Sequence, residues 1–458
     1  MELFRYRPYS TNNNGINYDK EGLINSEIYF ASLSQLNDPM EGYTKIDFQG
    51  DLIIWKNLFK NYFRSLFEAF TFSIISMPIP TDSRDLFEPN VIAYQLFDER
   101  FQNLFDKDWF QELPSQFISE NIVSSLIENL HDKHISEQQL TIFLKIIHNR
   151  AISIILNYLQ KNNILKGTIE LPTKGISYDI NWKDIFQDKI LNDRKLYQLL
   201  EQFFNSIGLL NENIDKRSKF LFLDFPSLFI EKLKKLMYPD FYVASFTKNP
   251  CNSSMWGNYA NSHKGICLKF DFKDNELPLF VPYGFTNQVL KKFIGYSTRK
   301  INYSNKLYSL NFFENIGNVS GGVLDRIWLL DSDTKRISTV KQIDENTRND
   351  YWNFIYDVLS QKTLDWKYEQ EERILLNNMF GDFSEQKDRK IKYDFNYLSG
   401  IIWGLRTSDA DKREIIEIII NKCKEIGRED FKFYQSFYNE EKCNIDYRED
   451  PINSFIKL

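Results

Sequence analysis

The residues with the most chemical potential lie in KTLDWKYEQEERILL, residues 362–376. Written as a strand, alternation puts Glu369, Glu371 and Arg373 on one face and Tyr368, Gln370 and Glu372 on the other. Two carboxylates so close push their pKa values apart, which separates an acid role from a base role. Without partners the same charges are costly to bury, so a solvated face is the plain alternative. FRYRPYS, at 4–10, places Arg5 and Arg7 at alternate positions, two permanent cations that need an anion, a carboxylate pair or water. An isolated Arg-x-Arg is commonly just an exposed edge. In YFASLSQLNDP, at 29–39, Tyr29 and Ser32 end a strand, and Asn37-Asp38-Pro39 has turn chemistry. In ASFTKNPCNSSMWGNYANSHKGICLKFD, at 244–271, Ser245 and Thr247 end a strand. Asn252, Ser253 or Ser254 then caps a helix on which Trp256, Tyr259 and His263 share a face, and Gly265 stops it. An aromatic stripe of this kind is more often core than ligand site.

Composition limits what these residues can belong to. The chain has 458 residues, 42% apolar and 26% charged, which is globular usage. A net charge of −6 gives no polycationic footprint for generic nucleic-acid binding. Cys251, Cys267, Cys423 and Cys443 form no CxxC pair, as expected in a reducing compartment, and four scattered histidines make no zinc pattern. Cys267 with His263 is a conceivable nucleophile pair, but an apolar strand around Cys267 favours core. No Gly-rich dinucleotide fingerprint or Walker loop occurs. The charged start at Glu2–Arg7 has no apolar stretch after it, and the run Ala69–Pro80 is too short to cross a bilayer. The expectation is a cytoplasmic protein without a membrane partner.

The elements that must position these side chains fall into zones. Residues 1–45 read as strand, helix, strand, with strands at Leu3–Arg7 and Glu27–Ser32 and a helix at Ile16–Ile24. Residues 46–235 carry helical spacing almost throughout, interrupted at Pro78, Pro80, Pro89 and Pro172. Strands return at Phe241–Phe246, Ile266–Phe272, Tyr368–Leu375 and Ile401–Trp403, followed by a helix at Lys412–Glu425 and a last strand at Phe431–Phe437. The expected fold is α+β: a mixed β-sheet core from 1–45 and 236–458, a large helical insertion at 46–235, and a second helical excursion at 305–362 within the core.

In order along the chain, these segments resemble the bacterial domain-of-unknown-function family 2971. Its members open with a strand like LFRYR, continue to YFxSxxxxNDP and MWxxYAxxHxG, and then carry WxYExExR. Here those positions are Arg5, Tyr6 and Arg7; Tyr29, Phe30, Ser32, Asn37, Asp38 and Pro39; Met255, Trp256, Tyr259, Ala260, His263 and Gly265; and Trp366, Tyr368, Glu369, Glu371 and Arg373. The chain departs at Ser245-Phe246-Thr247, where the family often has Cys-Phe-Ser, and at Ser253-Ser254, usually an apolar pair.

More loosely, Arg on a first strand, Ser/Thr on a middle strand and Glu-x-Glu on a late strand is similar to the Arg-Ser-Glu ADP-ribosyltransferases. That likeness implies an enzyme using NAD as substrate. Glu371 would stabilise an oxocarbenium-like ribose, Glu369 would activate the acceptor, and Arg5 or Arg7 would hold the diphosphate. Ser245 or Thr247 would orient the glutamate, Tyr29 would stack on nicotinamide, and Arg373, Ser32, Trp256, Tyr259 and His263 would complete the site. The acceptor would be an unidentified protein or nucleic acid, and the role that of a toxin or anti-phage effector. Two alternatives stay open: a metal-dependent nuclease using Asp365, Glu369 and Glu371, and a non-catalytic interaction module.

Overall fold

The computed structural model describes residues 1–12, 14–75, 89–91, 109–165, 180–186, 196–198, 201, 216–283, 290–341, 343, 347–378 and 382–455. The chain forms two compact units, one from 1–43, 239–307 and 352–458, the other from 44–238 and 308–351.

The first unit is built on a nine-stranded mixed sheet. Its strands are β1 (Glu2–Arg7), β2 (Ala31–Ser32), β3 (Phe241–Thr247), β4 (Ile266–Asp271), β5 (Arg299–Lys300), β6 (Glu371–Asn377), β7 (Leu398–Trp403), β8 (Lys432–Asn439) and β9 (Asn444–Glu449). Their order is β5-β6-β3-β1-β4-β7-β8-β9, with β2 also on β3. Only β7 and β8 run parallel among these pairs. The central strand β3, FYVASFT, is buried almost throughout, as its aromatic and β-branched composition favours.

Each sheet face has its own core. Leu3, Phe246, Ile266, Leu268 and Trp403 pack with Leu23 of helix α1 (Tyr18–Asn25) and with Ile415 and Ile419 of helix α3 (Asp409–Ile426). Phe4, Tyr6, Cys267 and Ile402 pack on the other face with Met255 and Trp256 of helix α2 (Ser253–Tyr259). Each fully buried side chain of this size contributes roughly 1.5–3 kcal/mol. Asn17 caps α1, Asn252 caps α2 and Ser408 caps α3, each accepting from backbone N–H groups of its first turn.

Several boundaries differ from the sequence reading. The expected strand Glu27–Ser32 divides at Phe30: Glu27–Tyr29 pairs with Lys390–Lys392, and β2 pairs with β3. Tyr368 to Gln370 is not strand, because a 3₁₀ turn over Leu364–Glu369 ends on Gln370 at φ 47° before β6 begins. α2 stops at Tyr259, and Asn261, Ser262 and His263 all take positive φ, so His263 leaves the helix. Gly265 is needed for a different reason from the one expected: a Cβ there would collide with the Arg7 and Pro8 carbonyl oxygens where β1 and β4 close together. The sheet also continues past β8 to β9, and a hairpin pairs Glu276–Tyr283 with Leu290–Ser297.

The second unit is mostly helical in its described part, with long helices at Leu52–Ile75 and Glu137–Lys161. Lys45–Phe48, Ile135–Ser136 and Ser309–Asn311 form a small separate sheet. That pairing explains why 308–351 belongs here and not to the sheet-bearing unit: Ser309–Asn311 runs parallel to Lys45–Asp47, and the Asn57 amide donates to the Trp328 and Leu330 carbonyls. Of the expected excursion at 305–362, the part from 352 on stays with the first unit. Glu137–Lys161 is the one described helix long and apolar enough to cross a membrane, and 72% of its apolar window is buried within the fold, as in a core helix. The breaks expected at Pro78, Pro80 and Pro172 lie outside the described residues.

Candidate functional site

The expected carboxylate pair does meet, though by another route than strand alternation. The turn at Gln370 reverses the chain so that Glu369, on the 3₁₀ segment, and Glu371, on β6, address the same place. Lys362, from the short strand Gln361–Lys362, inserts between them, 2.7 Å from Glu369 Oε2 and 3.4 Å from Glu371 Oε2. Arg373, two residues along β6, donates from Nε to Glu371 Oε1 at 2.6 Å and from its NH2 to Oε2 at 2.9 Å. Glu41, just beyond the Asn-Asp-Pro turn, completes the group, 2.5 Å from Arg373 and 2.7 Å from Lys362. All five side chains are at most 5% exposed, so their charges must balance one another.

Three carboxylates face two cations, and one Glu41 oxygen is buried without a hydrogen-bond partner. The group therefore carries one excess negative charge unless it holds a proton. Burial raises the Glu369 carboxyl above the ordinary range, against the opposing pull of Lys362. Burial acts the same way on Glu371, but the Arg373 guanidinium outweighs it and holds that carboxyl at about 2. The two carboxyls are therefore unlike: burial favours a proton on Glu369, while Arg373 favours the charge on Glu371. Tyr259 from α2 donates to Glu369 Oε1 at 2.5 Å and accepts from the Asn37 amide at 2.6 Å. The Trp366 ring lies 4.6 Å from the Lys362 ammonium. The Thr247 hydroxyl donates to the Glu369 backbone carbonyl at 2.6 Å, fixing the turn instead of orienting a carboxylate as expected. Ser245 faces Glu371, and its hydroxyl helps hold that carboxyl down.

Arg5 and Arg7 belong to the opposite sheet face, because Arg5 registers with Leu268 and Arg7 with Ile266, whereas Thr247 registers with Phe4 and Glu371. Arg5 nonetheless reaches the cleft. β1 meets β3 at the single pair Phe4–Thr247, while β3 turns to β2 at Val243, and the Arg5 guanidinium enters the gap. It donates to the Ser245 carbonyl at 2.9 Å and to the Tyr29 carbonyl at 3.2 Å, and no carboxylate bonds it among the described residues. Burial, with Arg7 alongside, lowers its pKa to about 9. Arg7 is bound by Asp19 at 2.5 Å.

Two cavities adjoin this gap. The first, about 280 Å³, is lined by Arg5, Tyr29, Asn37, Glu41, Ser245, Thr247, Tyr259, Lys362, Glu369, Glu371 and Arg373 among others. The second, about 510 Å³, lies toward α1, and Arg5, Arg7, Tyr29 and Gln35 line both.

Three residues expected in the site lie elsewhere. Trp256 is fully buried in the α2 core with its indole N–H on the Pro250 carbonyl, and His263 stacks on it at 10° between ring planes. Ser32 caps the turn at Leu33–Gln35, its hydroxyl bonded to Gln35. Asp365 is exposed and apart from the ion group, while Glu369 and Glu371 direct their oxygens at Lys362, Arg373 and Tyr259. No group of His, Cys, Asp and Glu among the described residues is arranged to hold a metal ion. Cys267 is fully buried core.

Lys362, Glu41 and Asn37 were missed as site residues. Lys362 and Glu41 are lone charges outside any alternation, and Asn37 reads as turn chemistry; nothing local announces their partners.

The family described as protein of unknown function (DUF2971) matches residues 255–374, from Met255 at the start of the MWxxYAxxHxG segment to just past Arg373. Residues 255–374 are similar to DUF2971 over about a quarter of the chain, the part that carries the MWxxYAxxHxG and WxYExExR motifs. No curated protein and no solved structure matches this chain.

Proposed function

We propose that the cleft binds NAD and breaks its nicotinamide–ribose bond, in the manner of the ADP-ribosyltransferases that the motif order resembles. The observation that carries this reading is the separation of unbalanced charge. One end of the cleft holds three carboxylates against two cations; its neck holds Arg5, hydrogen-bonded among the described residues to carbonyl oxygens, with Asp19 and Glu371 within electrostatic reach. A ligand with a cationic ring at one end and a diphosphate in the middle complements both, and NAD has that form. The pyridinium or a proton on Glu369 meets the same excess negative charge.

The chemistry follows from the unlike carboxyls. As the C–N bond breaks, its electron pair leaves on nicotinamide and positive charge grows on the ribose. Glu371, kept ionised by Arg373, is a fixed anion for that charge. Water or a macromolecular acceptor then bonds to the ribose carbon and loses a proton to Glu369, whose raised pKa makes it the better base. Tyr259 and Lys362 hold that carboxyl in place.

The test is nicotinamide release from NAD by wild type, Glu371→Gln and Glu369→Gln, with melting temperatures measured in parallel. Glu371→Gln is expected to lose about 10²–10³ in rate. Glu369→Gln is expected to spare nicotinamide release and impair transfer to an acceptor. Wild type that neither binds nor cleaves NAD, with or without cell extract, would remove the reading. Metal-dependent cleavage of nucleic acid, lost in Glu371→Gln, would install the nuclease in its place.

A further inference from the structure

The cleft that contains the carboxylates measures about 280 Å³, at the lower limit for a small-molecule site and too small for a whole dinucleotide. The neighbouring cavity of about 510 Å³ lies well inside the usual range. Its floor is apolar, made by Leu23, Ile28, Ile266 and Leu268, and its rim carries Tyr18 and Glu27. Tyr18 is 52% exposed, with the Lys390 ammonium 5.1 Å from its ring centre. Arg5, hydrogen-bonded to no carboxylate among the described residues though Asp19 and Glu371 lie within electrostatic reach, lines both cavities and so marks where an anionic group would pass from one to the other.

We propose that this second cavity, on the α1 face of the sheet, binds the distal nucleoside of the ligand whose reacting end occupies the carboxylate cleft. The proposal rests on the reading of the cleft as an NAD site and adds to it the place of the other half. A heterocyclic base buries its flat faces against the apolar floor and stacks at the rim on Tyr18. The Glu27 carboxylate is an acceptor for an exocyclic amine on the base. The phosphates lie at Arg5, where a carboxylate or phosphate would supply the counter-charge that the Ser245 and Tyr29 carbonyls do not. Arg5, Arg7, Tyr29 and Gln35 line both cavities, so one ligand would bridge them at Arg5, with chemistry at one end and recognition at the other.

The experiment is calorimetric titration of the full chain with NAD, nicotinamide mononucleotide and AMP, using wild type, Tyr18→Ala and Glu27→Trp. Tyr18→Ala removes the rim ring, and Glu27→Trp places bulk in the mouth of the cavity from a partly exposed position. Both are expected to weaken NAD and AMP about tenfold or more, the order of one lost base-stacking contact. Nicotinamide mononucleotide binding is expected to stay unchanged. Unaltered NAD affinity in a folded variant of either kind overturns the proposal; should Glu27→Trp not fold, Tyr18→Ala decides alone. Wild type that binds AMP, with the affinity lost in the variants, but does not cleave NAD would keep this site and remove the catalytic reading. Wild type that cleaves NAD without any affinity for AMP would do the reverse.

Discussion

Arg373→Met tests whether the buried ion group is organised as its geometry indicates. The guanidinium is fully buried and serves Glu371 through two bonds and Glu41 through a third. Methionine keeps much of the volume and removes the charge, so two carboxylates lose their main partner. Holding Glu371 at about 2 instead of the ordinary 4.5 corresponds to ~3 kcal/mol of stability, at ~1.36 kcal/mol per tenfold in acidity. Breaking a buried pair from one side costs about 3–5 kcal/mol in general, so both routes give the same size of loss. The pH dependence has a definite sign. Because the folded Glu371 carboxyl is depressed, its stabilising contribution is complete above 4.5 and is lost as pH falls toward about 2. Arg373→Met forfeits that contribution at neutral pH, so its deficit against wild type is expected to shrink on acidification through this window. The assay is urea unfolding of both proteins at several pH values. Glu371→Gln/Arg373→Met, which removes the stranded charge, is expected to recover part of the loss, and the double-mutant cycle gives the coupling. A deficit under ~1 kcal/mol at pH 7, or one that stays constant down to pH 3, would refute the argument.

Two further substitutions address the frame around the site. Gly265→Ala places a Cβ against the Arg7 carbonyl oxygen, so β1 and β4 must separate; a stability loss of about 1–3 kcal/mol is expected in the same unfolding assay, and a neutral result would mean the strands are not so close. Tyr259→Phe removes the donor that lowers the Glu369 carboxyl, so on the proposed NAD reading the limb of the pH–rate profile that reports Glu369 is expected to move to higher pH. An unmoved limb would separate Tyr259 from that titration.

What the sequence determined by itself was local. Alternation in FRYR identified a sheet strand, because a half-buried strand repeats its environment every second residue, and the short apolar run from Phe241 identified a strand buried on both faces. Asn252, with Ser253 and Ser254 beside it, signalled a helix start, because capping needs only neighbours in the chain, whereas the last helix begins at Asp409, three residues before the Lys412 expected. The ordered motifs from Met255 to Arg373 were likewise enough to indicate the likeness to DUF2971, and Glu369 and Glu371 were legible as a pair because they are two residues apart. What only the tertiary structure decided was partnership. The sheet side of Arg5 relative to Glu371 depends on register across β1, β3 and β6, whose residues lie hundreds of positions apart. Trp256 and His263 sit at motif positions, yet the core claims Trp256 and His263 stacks on it from a partly exposed turn, since an aromatic stripe looks the same whether it meets ligand or sheet. Lys362 and Glu41 gave no local signal. Their role comes from burial next to Arg373 and Glu371, where low dielectric turns ordinary charges into a group that must balance as a whole.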